Sequence, residues 1–405
     1  MGPAFNRIWA SSIVSNLSDG VMLAAVPLLA ISLTDSPVLI SAIGATVMLP
    51  WLLFAIPIGV LVDRVDRRFI LAGANAIRSV IVGFVALSIS LDVLTIYGLI
   101  IAGFVIGTCE VAADTTAQSL MPQILEEKDY EEGNSRLQIS ETIIQGFVGA
   151  PLSGFIYALA MFLPFLINSL GFAIASLFAL SIPIKYLQDV RAEDVTKVKS
   201  NFLADMKFGI SYLFNQKVLR RLVITTASIG LCYSMATSTM VLFVIKELGL
   251  QERYFGVTMA IQGVGAIAGS LVASRASNKF GRSLVMTCAI VASSVFVLIE
   301  GFAPNIYVLV PLATLGGFVI SQWNILLMAT YQTVIPQDLY GRIHGTRRTL
   351  VWGVMPIGSL LGGVLAKVSL RLPMYVGGAI ATVIAIFSVN FLLNLGENSR
   401  AESGL

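Results

Sequence analysis

Long apolar runs alternate with short polar connections along the whole chain. A helix needs about 20 apolar residues to cross the hydrocarbon core of a bilayer, and twelve runs reach that length. They cover residues 8–33, 38–62, 68–90, 93–117, 136–160, 163–187, 219–246, 254–275, 283–302, 305–331, 346–366 and 372–394. The pattern therefore predicts an all-α membrane protein with twelve transmembrane helices.

The composition supports a chain that is surrounded by lipid. Of the 405 residues, 56% are hydrophobic and 12% are charged, whereas soluble domains carry about 25% charged residues. A surface that faces water needs polar residues, but a surface that faces lipid does not. The net charge of +3 is small, and no block of basic residues occurs. We therefore expect the lipid bilayer, and not nucleic acid, as a partner.

Few residues are available for catalysis or metal binding. A single histidine, His344, excludes both a His-based metal site and a Ser/His/Asp triad within one chain. The three cysteines, Cys109, Cys232 and Cys288, lie in apolar segments without metal-ligand spacing. The chain has no Walker sequence G-x-x-x-x-G-K-[ST] and so does not hydrolyse ATP. We expect a protein that is not an enzyme and that needs no metal or cofactor.

The distribution of Lys and Arg predicts the orientation, because short cytoplasmic loops are enriched in basic residues. With the N-terminus in the cytoplasm, the outer loops hold four of the 26 basic residues, namely Lys246, Arg253, Lys367 and Arg371. Arg78 lies inside the third run, and all the others fall on the cytoplasmic side. We expect a multi-pass protein of a bacterial inner membrane with both termini in the cytoplasm.

The two halves of the chain are related by an internal repeat. Residues 118–123 (QSLMPQ) match residues 332–337 (QTVIPQ) at a separation of 214 residues. A weaker match sets Ser274-Arg275 against Asp63-Arg64, and the acid is absent from the second copy. The longest connection, 188–218, is rich in lysine. We predict two six-helix halves, 1–187 and 219–405, joined by this cytoplasmic linker, as in transporters built from parallel repeats.

A dense group of charges lies between the second and third runs, in GVLVDRVDRR. In the simplest interpretation, Arg64, Arg67 and Arg68 hold this loop in the cytoplasm. Acids add little to that bias, so Asp63 needs another explanation. A helix N-terminus stabilises a carboxylate, and an arginine pairs well with a carboxylate. These two preferences make the loop a candidate gate.

Several motifs resemble the major facilitator superfamily. Gly59-x-x-x-Asp63-Arg64-x-x-Arg67-Arg68 is similar to the signature of that superfamily, with Asp66 where a glycine is common. Gly146-x-x-x-Ala150-Pro151-x-x-Gly154 resembles the antiporter motif of drug–proton exporters, with Ala150 in place of a glycine. Asn134-Ser-Arg-Leu137 and Asn16-Leu-Ser-Asp19 resemble the subfamily of macrolide efflux proteins and the enterobactin exporter.

The resemblance implies that the charged loop is a cytoplasmic gate. It places Asp63 against the N-terminal end of span eleven, which we expect near Gly345–Thr346, and it pairs Arg67 with Asp114 at the end of span four. The gate candidates are thus Gly59, Asp63, Arg64, Arg67, Arg68 and Asp114. Two interpretations stay open, a latch that breaks when the gate opens and a loop that sets only the topology.

Charged residues also lie inside the predicted spans, where an unpaired charge is costly. Asp19, Arg78 and Glu110 are deep, and Glu141, early in span five, is a weaker candidate. Arg78 forms a static pair with Asp19 or with Glu110, or else Asp19 or Glu110 carries protons. Many drug–proton antiporters have an arginine in span four, and this chain has Glu110 and Asp114 there instead. Glu300 is expected at the outer surface.

Two other groups of residues are candidates for conformational change and for substrate contact. Pro151 removes a helix hydrogen bond and kinks span five, and Gly146, Gly149 and Gly154 permit close helix approach. Ordinary close packing is the alternative explanation. Polar or aromatic residues that interrupt apolar runs are candidates for a substrate cavity, or else packing residues. They are Gln262, Gln322, Trp323 and Asn324.

The leading hypothesis is a secondary active exporter of amphipathic small molecules, such as antibiotics or siderophores. It would use the proton gradient and work by alternating access, and a monomer would suffice. Other hypotheses in the same fold are a transporter with another substrate or direction, such as lipid movement or solute uptake, and a sensor without transport. The scarcity of nucleophiles and metal ligands disfavours a membrane-embedded enzyme.

Overall fold

The computed structural model describes residues 3–124, 144–145, 148–181, 202–335 and 340–395, and every regular element in these ranges is helical. The first seven helices are α1 (Pro3–Leu33), α2 (Pro37–Leu53), α3 (Ala55–Arg64), α4 (Arg67–Ser90), α5 (Ile96–Ile124), α6 (Ala150–Leu159) and α7 (Leu163–Leu180). The next eight are α8 (Phe202–Asn215), α9 (Lys217–Thr237), α10 (Phe255–Phe280), α11 (Arg282–Glu300), α12 (Ile306–Val334), α13 (Tyr340–Gly353), α14 (Met355–Ala366) and α15 (Leu372–Leu393).

Shorter helical turns connect some of these elements. A turn at Met240–Leu242 and a π-helical turn at Phe243–Glu247 follow α9, and a 3-10 turn at Glu252–Tyr254 precedes α10. Glu141, Gly146 and the segment 134–137, which the sequence analysis singled out, lie outside the described residues.

Ten helical segments of the described chain are long and apolar enough to cross a membrane. They correspond to ten of the twelve predicted runs. The second run, 38–62, divides into α2 and α3 at Phe54. The fifth run contributes the ten residues of α6 to the described ranges.

Prolines account for three helix boundaries. Pro57 lacks the N–H that would bond the carbonyl of Leu53, the last residue of α2. Pro356 stands in the same relation to Trp352, near the junction of α13 and α14. Pro151 lies at the start of α6, directly after π-helical residues 148–149. At the predicted kink of span five, the chain therefore changes from π-helix to α-helix.

The chain divides into two compact units. Unit 1 comprises Met1–Asp35, Thr46–Phe202 and Gln251–Ala260. Unit 2 comprises Ser36–Ala45, Leu203–Leu250 and Ile261–Leu405. Each unit therefore includes a short segment from the other half of the sequence. Helix α2 begins in unit 2 and ends in unit 1, whereas α10 begins in unit 1 and ends in unit 2.

Both exchanged segments pack against glycines of the unit that contains them. In unit 2, a Cβ at Gly363 of α14 would collide with Ser41 of α2. In unit 1, a Cβ at Gly154 of α6 would collide with the carbonyl of Arg253. Small residues at such crossings let two backbones approach closely, which is how membrane helices gain packing energy.

The two units have different interiors. In unit 1, α1, α4 and α7 pack side by side through small polar residues, and Ser11 and Ser176 donate hydrogen bonds to carbonyls of facing helices. Unit 2 has an apolar core that includes Leu222, Ile290 and Tyr331. Helix α8, which forms part of the predicted linker 188–218, places Leu213 fully inside this core.

Candidate functional site

An ion pair joins α1 to α4 in the interior of unit 1. Arg78 Nη2 lies 2.5 Å from Asp19 Oδ1. The side chain of Arg78 keeps 3% of its surface exposed, and that of Asp19 keeps 24%. The arginine is therefore enclosed, while the carboxylate retains an open side. Sequence alone left Asp19 and Glu110 as alternative partners of Arg78, and in the structure Arg78 pairs with Asp19.

Helix α7 supplies the wall behind this pair. The guanidinium carbon of Arg78 lies 3.9 Å from the ring centroid of Phe172, within the range of a favourable cation–π contact. One turn earlier, Asn168 Nδ2 donates a hydrogen bond of 2.5 Å to the carbonyl of Ser18. A Cβ at Gly171 would collide with Ser18, so glycine is what allows α7 to approach α1 here.

The surroundings of the ion pair have unused hydrogen-bonding capacity. Among the buried polar atoms of the described chain that have no hydrogen-bond partner, Arg78 Nε, Asn75 Oδ1 and Asn168 Oδ1 belong to the helices around this pair. Buried polar groups are normally satisfied, because leaving one unpaired costs free energy. One donor and two acceptors on α4 and α7 are thus available next to a charged pair.

Two further acids lie on α5, Glu110 and Asp114, and both make interactions within the fold. The charge of Asp114 acts on the Asp19 carboxylate. The structure therefore relates Asp114 to the ion pair of α1 and α4 as well as to the predicted gate. The predicted pairing of Arg67 with Asp114 stays a prediction, since Arg67 too has an interaction within the fold.

The charged loop between α3 and α4 is shaped by Asp66. This residue is the N-cap of α4 and accepts a hydrogen bond of 3.0 Å from the backbone N–H of Arg68. The Arg68 guanidinium also donates to both Asp66 oxygens, at 3.2 and 2.7 Å. An aspartate before a helix is a recognised start signal, and the sequence analysis had recorded Asp66 merely as a departure from the superfamily signature.

One expectation about the gate is wrong. Span eleven was expected to begin near Gly345–Thr346, but α13 already includes Tyr340. The helix end that would stabilise Asp63 therefore lies at least one turn earlier. The side chains of Asp63 and Arg64 lie outside the described part of the structure, so the latch stays a prediction. A Cβ added at Gly59 would meet no atom within 4 Å.

The antiporter motif coincides with close backbone crossings in unit 1. A Cβ at Gly149 would lie 2.6 Å from the Cα of Gly20 and 2.9 Å from the Leu17 carbonyl. These α1 residues immediately precede and follow the Ser18–Asp19 segment. The region around Pro151 is thus packed directly against the part of α1 that carries the buried carboxylate.

The chain as a whole matches a known family. Residues 2–404 match the transmembrane secretion effector family, which is part of the major facilitator superfamily. The chain belongs to this family. It is similar to macrolide efflux protein A of Streptococcus pyogenes, with 23% identity over 388 residues, or 94% of each chain. It is also similar to the multidrug efflux pump Tap of Mycobacterium tuberculosis, with 22% identity over 393 residues, or 94% and 93% of the two chains.

Solved structures of transporters have the same fold as this family member. A bacterial homologue of the iron transporter ferroportin matches with a TM-score of 0.77 at 14% identity, over 97% of this chain and 100% of the other. The nucleoside transporter NupG matches with a TM-score of 0.69 at 13% identity, over 98% and 99%. At these identities the likeness concerns the fold alone. The predicted superfamily is confirmed, and the protein is a membrane transporter and not an enzyme.

The candidates for substrate contact in this transporter are spread over different environments in unit 2. Trp323 is 2% exposed and belongs to the apolar core, and Gln322 is buried as well. Asn324 is exposed, and Gln262 is half-buried where α10 crosses Gly317 of α12. The four residues do not form one surface. Trp323 in particular packs as a core residue, because the rotation of α12 turns it towards α9 and α11.

Two buried charges of the transporter were missed or misplaced by sequence reasoning. Glu300 was expected at the outer surface, but 6% of its surface is exposed, so that expectation is wrong. Arg347 is 8% exposed and lies over the ring of Tyr331, with 4.5 Å between guanidinium carbon and ring centroid. Arg347 was not among the candidate residues identified from the sequence.

Proposed function

We propose that this transporter exports amphipathic small molecules, such as antibiotics or siderophores, in exchange for protons. In this proposal the chain has twelve spans in two six-helix halves joined by a cytoplasmic linker, with both termini in the cytoplasm of a bacterium. It works as a monomer by alternating access and uses the proton gradient with no cofactor. Relatives named as macrolide and multidrug efflux proteins support the direction of transport and the class of substrate.

The proposed coupling of transport to protons is based on the ion pair between Asp19 and Arg78. Charges in the low-dielectric interior persist when they are paired, and removal of one charge leaves the other uncompensated. A proton that binds to Asp19 removes the negative charge and leaves Arg78 held by the Phe172 ring alone. The free energy of that state differs by several kcal/mol from that of the pair. Protonation therefore changes which arrangement of α1 and α4 is favoured.

The partial exposure of Asp19 supports exchange with water or with substrate. The carboxylate keeps 24% of its surface open, which leaves it accessible to a proton donor. The unused hydrogen-bonding atoms of Asn75 and Asn168 provide alternative partners for the groups that protonation releases. Alternating access then uses the two compact units as its moving parts.

A panel of labelled macrolides, other antibiotics and siderophores in a bacterium without its own pumps tests this proposal. We expect lower accumulation of at least one compound in cells that make the transporter, and the difference disappears with a protonophore. In Asp19→Asn, efflux against a gradient is lost although the protein reaches the membrane. The matched control is Asp92→Asn, since Asp92 is exposed in a turn with a φ of 55° that asparagine adopts readily.

Two results would contradict the coupling. Efflux that persists with the protonophore argues against a proton-driven exporter. Normal uphill efflux and normal proton movement in Asp19→Asn would exclude this carboxylate as the coupling site.

A further inference from the structure

Unit 2 contains a buried carboxyl group that the proposed mechanism does not use. Glu300 is the last residue of α11, and 6% of its surface is exposed. Helix α12 crosses it at Gly316, where an added methyl group would lie 3.4 Å from Glu300 Oε1 and 3.7 Å from Phe296 Cβ. The carboxyl group is therefore enclosed between its own helix and the backbone of α12.

Among the described residues, no positively charged side chain is paired with Glu300. Its side chain takes part in none of the ion pairs or hydrogen bonds between the described residues. The nearby Arg371 is committed elsewhere. Its Nη1 donates to the carbonyls of Gly301 and Ala303 at 2.8 and 2.9 Å, and its Nε lies 2.5 Å from Glu247.

Within the described part of the chain, the groups that face this carboxyl group from the surrounding helices are uncharged. The charge of Glu300 acts on Tyr233 of α9. From the start of α15, the ring of Tyr375 packs against the turn at Gly301 and is 4.5 Å from the ring of Phe302. Helix α12 presents the backbone of Gly316. The position at the C-terminal end of α11 adds the negative end of the helix dipole, which disfavours a second negative charge.

A carboxylate that is enclosed without a neighbouring cation loses its charge most readily by binding a proton. An isolated carboxylate in an apolar site is costly, and such a group becomes neutral by binding a proton. A proton also needs no cavity, which suits a site against which α12 packs directly. The route to water is short, because Phe302, Pro304 and Asn305 in the following turn are exposed.

We propose that Glu300 is a proton-binding site of unit 2. Binding of the proton follows from the enclosure of the carboxyl group. Its use in the transport cycle, as a second proton carried or as a relay on the way to the substrate path, rests on the proposed proton coupling. Neither Glu300 nor Tyr233 contacts the Asp19 pair, which lies in unit 1.

Infrared difference spectroscopy on the full-length protein in lipid nanodiscs tests the site without any transport. A protonated carboxylic acid has a C=O stretching band that a carboxylate lacks. At neutral pH we expect such a band in the wild type, its loss in Glu300→Gln, and its retention in Glu252→Gln, the matched control with an exposed glutamate.

A second variant covers the case in which Glu300→Gln does not fold. Glu300→Asp keeps a carboxyl group, so its band must persist at a shifted frequency. Titration of the wild type to alkaline pH must remove the band reversibly. An identical band in the wild type and in Glu300→Gln, or no band in the wild type, overturns the proposal.

A transport measurement separates this proposal from the proposed function. In proteoliposomes, we expect Glu300→Gln to lower the number of protons exchanged per substrate or to flatten the pH dependence of efflux, while Glu252→Gln does neither. Loss of the infrared band together with no proton movement in the wild type would support the site and contradict proton coupling. Loss of the band with unchanged proton exchange would show that Glu300 binds a proton and would overturn its use in transport.

Discussion

The two units of this transporter handle buried charge in different ways. In unit 1, Arg78 and Asp19 meet at 2.5 Å and neutralise each other. In unit 2, Glu300 and Arg347 are buried to a similar degree, but neither is part of an ion pair between described residues. The guanidinium of Arg347 lies on the Tyr331 ring, and its Nε has no hydrogen-bond partner there.

This difference indicates that the repeat preserves the helices and not their charges. The family's fold needs apolar faces and small residues at helix crossings, and both units have these. A buried charge needs in addition a partner of opposite sign at one position on a neighbouring helix. Unit 1 has such a partner. Among the described residues of unit 2, Arg347 lies on an aromatic ring, and in our proposal Glu300 binds a proton.

The largest effect is expected when the pair in unit 1 is broken. Arg78→Gln leaves the Asp19 carboxylate without its counter-ion, and removal of one partner of a buried pair costs about 3–5 kcal/mol. We expect about 3 kcal/mol here, because Asp19 is partly exposed. Thermal unfolding of the purified protein measures the loss. The double variant Asp19→Asn/Arg78→Gln should recover much of it, and equal losses in the single and double variants would contradict a mutual pair.

A smaller effect is expected when an ion pair with Arg347 is introduced into unit 2. Arg347 Nη2 lies 3.7 Å from Met328 Sδ, so Met328→Glu places a carboxylate beside the guanidinium. Hydrogen bonds to charged groups contribute about 1.5–3 kcal/mol, and the 37% exposure of Met328 reduces this to about 1 kcal/mol. Met328→Gln is the neutral control. If the Glu variant unfolds at the same temperature as the Gln variant, Arg347 is not short of an anion.

The smallest effect is expected at the ion pair near the surface of unit 2. Burial alone lowers the pKa of Arg371, but the hydrogen bond and charge of Glu247 outweigh burial and raise that pKa above its ordinary value. Partly exposed pairs contribute about 0–1 kcal/mol and weaken with salt. Glu247→Gln should therefore lower the unfolding temperature slightly in dilute buffer and not in high salt. Arg371 keeps its bonds to Gly301 and Ala303 in this variant.

Much of the fold was predictable because the apolar runs are long and a bilayer imposes their length. Helix breaks within runs were less accessible. Pro57 was present in the second run, but no break in that run was predicted from it. The proline rule applies to the carbonyl four residues earlier, so Leu53 ends α2 and α3 begins at Ala55.

The residues of the candidate site could be predicted from the sequence, but not which acid pairs with the arginine. Asp19 and Arg78 stood out as charges inside apolar runs, and Glu110 stood out equally. The choice between them depends on how α1, α4 and α5 are rotated about their axes. A run made almost entirely of apolar residues does not indicate which side of the helix faces its neighbours. The same rotation buried Trp323 and exposed Asn324, although both interrupt the same run.

Glu300 was misplaced for a related reason. Its position at the end of an apolar run, before Gly301 and Pro304, indicated a loop at the membrane surface. The missing information was tertiary, since Gly316 and Tyr375 on two other helices close over that end of α11. Asp66 is the opposite case, because the capping signal was in the sequence and the superfamily signature drew attention away from it.

The exchange of helix starts between the units has a consequence for how the protein is made. Gln251–Ala260 belong to unit 1, where the ring of Tyr254 meets that of Phe155 at 6.3 Å. Synthesis runs from the N-terminus, so the segment that packs against Gly154 is made only after most of unit 1. Unit 1 is complete once residue 260 has been inserted. Ser36–Ala45 cannot pack against α14 until that helix has been synthesised. A gene divided in the linker would thus yield two fragments, neither of which contains a whole folding unit.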